Sequence, residues 1–214
     1  MAECRFIIER HGQSMGNLVR SFLGHTDLPL SELGREQAAK TAEFLKNENI
    51  DVIMSSDLKR AYQTAEPLAK LKGMEIIPNE GLREIYAGKW ENMLFDDIQA
   101  TYPEEFGIWR NDIANAVCTD GEAVRDLDRR IYKEICRLGE VYAGKTVFIA
   151  THATPIRMLR LRALGLPIED AKDHPWAPNA SVTEIGYENG NLRLIRDTVS
   201  EHLEELVTRL PKNV

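Results

Sequence analysis

The chain has 214 residues, of which 43% are hydrophobic and 29% are charged, a composition typical of a soluble globular protein rather than a disordered chain. Lys and Arg number 27 against 34 Asp and Glu, so the formal net charge is −7. This balance argues against a general nucleic-acid-binding protein, which needs a basic face. It still allows a small anionic ligand, because a few local cations are enough to bind one.

The cysteines indicate the compartment. Cys4, Cys118 and Cys136 are odd in number and widely spaced, and no CxxC pair occurs. The spacing indicates neither a zinc ribbon nor a disulfide framework, and unpaired thiols fit a reducing compartment. No apolar run approaches the roughly 18 residues of a membrane span, and the N-terminus lacks a long apolar signal segment. We therefore expect a cytoplasmic protein without a membrane partner.

Strand and helix patterns alternate along the chain, and most are bounded by Gly, Pro or polar residues. In chain order, the predicted elements are a strand over 4–9, a helix over 31–46, a strand over 51–56, a helix over 57–73 with Pro67 as a kink, a strand over 74–78, one or two short helices within 92–118, a helix over 122–138, a strand over 146–152, a helix over 155–165, a hairpin over 180–199 and a closing helix over 201–210.

This order predicts one domain over 1–214, since no long linker, repeat or low-complexity tract interrupts it. We expect an α/β fold, a three-layer α/β/α sandwich with a mostly parallel central sheet, an antiparallel edge from the hairpin and a small helical cap over 92–118. In sheets of this kind, ligands bind beyond the carboxyl ends of the strands.

One segment matches a nucleotide-binding motif in its residues but not in the order of its flanking strand and helix. GEVYAGKT (139–146) fits the phosphate-loop pattern G-x-x-x-x-G-K-[ST]. That motif works with a strand before it and a helix after it, because the helix N-terminus and the loop amides hold the phosphates. Here the predicted helix comes first and the strand follows, so we reject a nucleotide loop.

Polar residues gather at one predicted edge of the sheet. Arg10 and His11 directly follow the first strand, His152 ends the strand over 146–152, and Arg60 begins the helix after the strand over 51–56. Taken singly, each has a plain structural explanation, such as a solvated ion pair or a core histidine. Together at one rim, two arginines and two histidines predict a site for a tetrahedral dianion.

RHGQSMGN (10–17) resembles the R-H-G-x-S-x-x-N signature of the histidine phosphatase superfamily, which contains cofactor-dependent phosphoglycerate mutases and many phosphatases. The match extends from Cys4 to about Val199. Five further segments resemble later blocks of the family in the family's order: GHTDLPLSELGREQA (24–38), SSDLKRAYQTA (55–65), LREIYAGKWE (82–91), DGEAVRDLDRRI (120–131) and THATPIR (151–157).

The resemblance implies a metal-independent phosphatase with no cofactor. His11 is expected to be the nucleophile that forms a phosphohistidine. Arg10, Arg60 and His152 are expected to hold the phosphoryl oxygens, and Glu84 to act as general acid and then as general base. Positive neighbours disfavour the imidazolium, so they are expected to keep His11 neutral near neutral pH.

The resemblance also implies residues that bind the substrate phosphate, namely Ser14, Asn17 and the backbone N–H of Ala153. Two features of the sequence depart from the family's usual pattern. Ala153-Thr154 stands where many relatives have two glycines, and Glu9 precedes Arg10 and is expected to pair with a neighbouring arginine. Glu122 is expected to be a pocket or framework residue.

Three functions remain open on sequence alone. The stretch between Glu84 and His152 is more compact than in the mutases, which favours a phosphatase acting on a small phosphorylated metabolite. A mutase that transfers phosphate within its substrate is the second reading, and a non-catalytic module that binds a phosphorylated ligand is the third. The oligomeric state and the identity of the substrate are not predicted.

Aromatic residues are the candidates for the leaving-group pocket. They either shape this pocket as a cap or form the core of a helical excursion. Those in the 92–118 segment are Phe95, Tyr102, Phe106 and Trp109. Trp176, farther along the chain, is expected at the rim of the site.

Overall fold

The computed structural model of the protein describes residues 2–210. The ends of the predicted 1–214 domain, Met1 and residues 211–214, lie outside the described residues. The strands are β1 (Cys4–Arg10), β2 (Ser21–Phe22), β3 (Val52–Ser55), β4 (Ile76–Pro78), β5 (Met93–Leu94), β6 (Thr146–Thr151), β7 (Val182–Glu188) and β8 (Asn191–Val199). The α-helices are α1 (Met15–Val19), α2 (Glu32–Phe44), α3 (Lys59–Lys72), α4 (Phe95–Thr101), α5 (Pro103–Asn111), α6 (Val124–Val141) and α7 (Ala153–Leu164).

The centre of the molecule is a six-stranded sheet in the order β4-β3-β6-β1-β7-β8. β4, β3, β6 and β1 pair in parallel, whereas β7 pairs antiparallel with both β1 and β8. The predicted mostly parallel sheet with a hairpin at one edge is confirmed. The antiparallel strand β7 lies one place in from that edge.

Helices cover both faces of the sheet and give three layers. α2 and α3 pack on the face that presents Ile7, Ile53 and Phe148, whereas α6 and α7 pack on the face that presents Phe6 and Ile8. Successive residues of β1 alternate between the faces, as the two-residue period of a strand requires. Because both faces are buried, the central strands read as apolar runs.

Three neighbouring strands end at the same edge of the sheet, and the polar groups follow them there. His11 follows β1, and its backbone N–H donates to the Thr151 carbonyl at 2.9 Å. Ser56 follows β3, and its N–H donates to the Ala150 carbonyl at 2.9 Å. His152 follows β6 and occupies the N-cap position of α7, without a side-chain capping hydrogen bond. Strand pairing therefore brings the two histidines to one rim.

The 92–118 segment contains β5, α4, α5 and a short 3₁₀ turn. β5 pairs with β2 in a small antiparallel sheet, which hydrophobic periodicity does not predict because each strand has only two residues. Phe106 and Trp109 are buried in the same apolar cluster as α6 and α7. The description of this segment as a cap within a single domain stays a prediction.

Two local predictions are confirmed, the hairpin turn and the order of elements around GEVYAGKT. The β7–β8 turn places Asn189 and Gly190 at φ of 50° and 82°, the two positive values of a two-residue hairpin turn. α6 precedes GEVYAGKT and β6 follows it, so the segment has the order opposite to a phosphate loop. α3 continues on both sides of Pro67, and the kink expected there stays a prediction. No helix among residues 2–210 is long and apolar enough to cross a membrane.

The predicted closing helix over 201–210 is wrong. Glu201–Leu206 forms 3₁₀ turns, and residues 207–210 have no regular structure. Glu204 interrupts the turns at φ 52° and ψ −122°, a conformation that no right-handed helix accepts. A polar segment with scattered leucines therefore looked more helical in sequence than its backbone is.

The expected ion pair of Glu9 is also wrong. Glu9 and Arg10 are consecutive in β1, so their side chains point to opposite faces of the sheet. Glu9 is 1% exposed and its Oε1 has no hydrogen-bond partner. Burial raises the pKa of Glu9 well above its ordinary value, against a hydrogen bond from Thr41 that lowers it.

A close backbone contact fixes the loop after β1 against the start of α2. A Cβ atom at Gly34 would overlap the Gln13 carbonyl, and one at Gly12 would overlap the Gly34 carbonyl. Ser31 caps α2 by accepting the Gly34 N–H at 3.1 Å, while its own N–H donates to the Gln13 carbonyl at 2.8 Å. Glycine at both positions is therefore a packing requirement beside His11.

Gly34→Ala is expected to destabilise the protein by about 1–3 kcal/mol, because the new methyl group meets backbone atoms that cannot rotate away. Gly107→Ala is the matched control, since Gly107 is also inside a helix but has no atom within 4 Å of an added Cβ. At Gly107, alanine reduces the conformational entropy of the unfolded chain, so this change is expected to raise the free energy of unfolding by about 0.5–1 kcal/mol. Urea unfolding measures both, and equal effects of the two changes would contradict the close contact.

Candidate active site

A cavity opens at the rim where β1 and β6 end, with polar residues on one side and mostly aromatic residues on the other. Its polar side is formed by Arg10, His11, Asn17, Ser21, Arg60, Glu84, Thr154 and the backbone of Gly24 and Ala153. Its apolar side is formed by Phe22, Leu23, Phe95, Trp109, Trp176 and Leu210.

His11 is held as a neutral imidazole with one free nitrogen. Its Nδ1 lies 2.7 Å from the Gly12 carbonyl oxygen. A carbonyl can only accept, so Nδ1 carries the ring proton and Nε2 keeps its lone pair. Burial, followed by the charges of Arg60 and Arg10, lowers the pKa of His11 well below its ordinary value, although the Gly12 contact opposes this. The Nε2 atom is therefore available as a nucleophile.

Arg10 and Arg60 are each 1% exposed, and neither forms an ion pair with a carboxylate within the described chain. Arg10 Nη1 donates to the Ala177 carbonyl. Arg60 donates to the carbonyls of Gly24 at 2.7 Å and Thr26 at 2.9 Å. Burial lowers the pKa of each arginine to about 10, so both stay charged at neutral pH. Carbonyl contacts hold these cations without cancelling their charge.

His152 lies against His11 in an edge-to-face arrangement, with 5.2 Å between ring centroids. Its Nε2 lies 2.8 Å from Ser56 Oγ, and its buried Nδ1 has no partner in residues 2–210. Burial and the charge of Arg60 lower the pKa of His152 well below its ordinary value. The structure thus supplies a second, unpaired imidazole nitrogen next to the first histidine.

Glu84 lines the same cavity at the N-terminus of α7. Its Oε1 accepts the Ile85 N–H at 2.9 Å, and its Oε2 accepts the Thr154 N–H at 3.3 Å. These amides orient the carboxylate within the cavity that holds both His11 and the two buried arginines. Thr154, one of the departures noted in the sequence, therefore contributes a backbone contact to the carboxyl group.

An ion pair behind the site holds the segment that carries Glu84. Arg130 donates to the carbonyls of Arg83 and Glu84, each at 3.1 Å. The Glu122 carboxylate accepts from Arg130 Nε and Nη2, each at 3.0 Å, and from the Tyr86 N–H at 3.1 Å. Of the two roles that the sequence left open for Glu122, the structure shows the framework role.

Asn17 is oriented with its donor group free. Its Oδ1 accepts from the Ser14 N–H at 3.1 Å and from Asn179 Nδ2 at 3.2 Å. Both contacts use the oxygen, so the amide nitrogen is left for a ligand. Ser14 Oγ accepts the Asn17 N–H at 3.1 Å, which makes it the N-cap of α1. Ser14 does not line the cavity, and its predicted contact with substrate stays a prediction.

Ala153 is the first residue of α7 and lines the cavity. The first amides of a helix have no acceptor within the helix, and the helix dipole makes this end positive. The predicted contact of its N–H with the substrate phosphate stays a prediction. Among residues 2–210, no group of three or more His, Cys, Asp or Glu side chains is placed to hold a metal ion.

The aromatic residues divide between the two roles that the sequence left open. Phe95 and Trp109 line the cavity, as does Trp176. Phe106 is buried in the core and Tyr102 packs against it. Trp109 and Trp176 stack with 6.1 Å between centroids, and their indole nitrogens are buried without a partner among residues 2–210.

Sequence reasoning missed several residues that support the site. Thr64 Oγ1 accepts the Gly12 N–H at 3.0 Å, and Ser56 contacts His152. Both lie within SSDLKRAYQTA, where the hydroxyl groups beside Arg60 were an available signal. Asn179, which donates to the His11 carbonyl at 3.0 Å, follows no recognisable pattern, since it comes from a loop distant in sequence.

Comparison with known proteins agrees with this geometry. The family model of the histidine phosphatase superfamily (branch 1) matches residues 6–198. The chain belongs to the histidine phosphatase superfamily. Phosphoserine phosphatase 1 of Hydrogenobacter thermophilus is 30% identical over 98% of this chain and 99% of its own. The probable phosphoglycerate mutase GpmB of Yersinia pestis is 31% identical over 86% of this chain and 92% of its own.

A solved structure is also similar. The native structure of a mycobacterial glucosyl-3-phosphoglycerate phosphatase superposes with a TM-score of 0.82 at 29% identity, covering 92% of this chain and 100% of that one. The family and its phosphatase-named members support the assignment of this chain as a phosphatase.

Arg60→Met is expected to raise the pKa of His11, because it removes one of the two cations that disfavour the imidazolium. With a lowered pKa, native His11 stays neutral as the pH falls through the ordinary histidine value of ~6.5. The variant is expected to start protonating nearer that value. Arg60→Lys keeps the charge and is expected to leave the pKa low. Histidine NMR titration of the ligand-free proteins tests this, and equal His11 midpoints in the native protein and Arg60→Met would refute it.

Proposed function

We propose that the chain is a metal-independent phosphomonoester phosphatase that acts on a small phosphorylated metabolite. Its nucleophile is His11, its intermediate is a phosphohistidine, and Glu84 is its general acid and base. The observation that carries the proposal is the state of His11. Its ring is buried and neutral, its Nδ1–H donates to the Gly12 carbonyl oxygen, and its Nε2 is free.

The phosphoryl group is proposed to bind between the two arginines. We assign the ring proton of His152 to Nδ1, with the Ser56 hydroxyl donating to Nε2. Arg10, Arg60 and this Nδ1–H then complement the negative charge that spreads over the oxygens in a loose phosphoryl-transfer transition state. The amide nitrogen of Asn17 and the N–H of Ala153 add neutral donors. Ser14 is proposed to help bind the phosphoryl group by orienting Asn17, whose N–H it accepts as the N-cap of α1.

In the first half-reaction, His11 Nε2 attacks phosphorus and a nitrogen–phosphorus bond forms as the bond to the leaving oxygen breaks. Glu84 gives its proton to that oxygen, and the alcohol departs. In the second, Glu84 takes a proton from water, the oxygen of this water attacks phosphorus, and the bond to His11 breaks. Two moderate barriers thereby replace one very high barrier.

A mutase remains the second candidate, because a relative at 31% identity is named a probable phosphoglycerate mutase. The two functions differ only in what attacks the phosphohistidine, either water or a second hydroxyl of the bound substrate. The compact stretch between Glu84 and His152 favours access of water.

We also propose that the enzyme works in the cytoplasm. Cys4, Cys118 and Cys136 are all free thiols, and burial raises the pKa of Cys4 to about 11. Free thiols fit a reducing compartment, where oxidation does not pair them.

The proposal is tested by trapping the intermediate. Native protein mixed with a radiolabelled phosphomonoester and quenched in base is expected to carry acid-labile label on His11, and to release inorganic phosphate. His11→Asn is expected to carry no label. Label that moves to a second hydroxyl of the substrate indicates the mutase. Absence of both label and turnover across a broad panel of esters indicates a binding module and overturns the proposal.

Glu84→Gln is expected to separate the two proton transfers. With an alkyl phosphate, turnover is expected to fall by about 10²–10⁴-fold, because the poor leaving group needs a proton. With p-nitrophenyl phosphate, the leaving group needs none. The variant is then expected to release one equivalent of nitrophenolate in a burst and to turn over slowly afterwards, since water is no longer activated. Equal rates in the variant and the native protein would rule out this role of Glu84.

A further inference from the structure

A second cavity adjoins the active-site cavity and is mostly basic. Its volume is about 380 Å³, within the range of small-molecule sites. Four basic residues line it, Arg157, Lys172, His174 and Arg209, with Asp173 as the acidic member. Trp176 and Leu210 line both this cavity and the active-site cavity.

Arg157 is the unusual member of this group. It is 4% exposed, and its Nε is buried without a partner among residues 2–210. Its guanidinium donates to the Ala171 carbonyl and lies 4.1 Å from the centroid of the Trp176 ring. These contacts orient the group but leave its charge uncompensated.

The other two arginines of α7 show the contrast. Arg160 pairs with Asp197 at 2.6 Å and Arg162 pairs with Asp128 at 2.6 Å, whereas no carboxylate pairs with Arg157 in the described chain. Burial and the neighbouring Arg160 lower the pKa of Arg157 to about 10, so it remains a cation at neutral pH. A buried, unpaired charge is costly unless something negative binds to it.

The basic cavity and the active site are joined by a short segment. Arg10 donates to the carbonyl of Ala177, and the preceding residue, Trp176, stacks on the guanidinium of Arg157. Arg10 and Arg157 therefore contact adjacent residues of one segment. Trp176 thus lies between the residues that line the two cavities, with Trp109 stacked on its ring and Arg157 over it.

We propose that this cavity binds a second anionic group, a carboxylate or a phosphate, carried by the leaving group of the phosphomonoester. The inference rests on the proposed phosphatase function and adds the class of substrate. Arg157 forms the buried end of the anion site. Lys172 and Arg209, both exposed, supply charge at its mouth, and the stacked Trp109 and Trp176 accept the apolar part of the leaving group.

The probes are phosphorylated hydroxyphenyl alkanoic acids of increasing chain length, each compared with its methyl ester. At constant ionic strength, the native enzyme is expected to prefer the acid over the ester by about 10-fold or more in kcat/KM at the chain length that spans the two cavities, as charge-assisted hydrogen bonds allow. Lys172→Ala/Arg209→Ala is expected to reduce this preference several-fold and to leave turnover of phenyl phosphate unchanged.

Two further variants make the test specific. Lys70→Ala/Lys133→Ala removes two exposed charges that line neither cavity, and it is expected to keep the preference for the acid. Arg157→Met is expected to abolish the preference. Because Arg157 is buried, this variant is used only if its thermal unfolding matches that of the native protein, and otherwise the exposed double variant decides.

The possible failures are distinguishable. Phosphate release from none of the esters would refute the proposed phosphatase. Phosphate release with equal kcat/KM for acid and ester at every chain length would refute the anion site alone. A preference for the acid that Lys172→Ala/Arg209→Ala leaves unchanged would also refute it, since the anion would then bind away from the mouth of this cavity.

Discussion

Two guanidinium groups are buried beside an imidazole, and neither forms an ion pair with a carboxylate among residues 2–210. The rest of the site depends on this arrangement. Removing a charge from water costs several kcal/mol even after relaxation, and carbonyl contacts from Gly24, Thr26 and Ala177 offset only part of this. The remaining positive potential has two effects. Added to the burial of the ring, it keeps His11 neutral, and it suits the site to the phosphoryl dianion that we propose as its ligand. In the proposed mechanism, the same charges thus keep the nucleophile neutral and attract the phosphoryl group.

The fold meets these conditions through the ends of parallel strands. β1 and β6 are neighbours, so the histidines that follow them lie side by side without any long loop. The Gly12–Gly34 contact presses the loop after β1 against α2, and Arg130 fixes the segment that carries Glu84. Glu84 and the basic groups of the site therefore lie on different elements, and backbone contacts hold each of these elements in place. The rigidity of the scaffold allows charges that do not pair with each other to remain close.

Sequence patterns predicted the sheet, its main helices and the gathering of Arg10, His11, Arg60 and His152, because strand ends and hydrophobic periods are local signals. They did not predict β2, β5 or the short helix α1, which are too brief to show a period. They placed Glu9 in an ion pair, although the alternation of β1 turns it away from Arg10. The contacts of Asn179 and Ala177 with the site arise from tertiary packing alone, and no local pattern marks them.

The central claim is that His11 is a neutral imidazole protonated on Nδ1 in the free enzyme. Nitrogen NMR of the histidine-labelled protein at about pH 5.5, a unit below the ordinary histidine pKa of ~6.5, reports both the charge and the tautomer of each ring. We expect His11 to show one protonated nitrogen, Nδ1, and one unprotonated nitrogen, Nε2. An imidazolium signal for His11 at that pH, or a proton on Nε2, would contradict it.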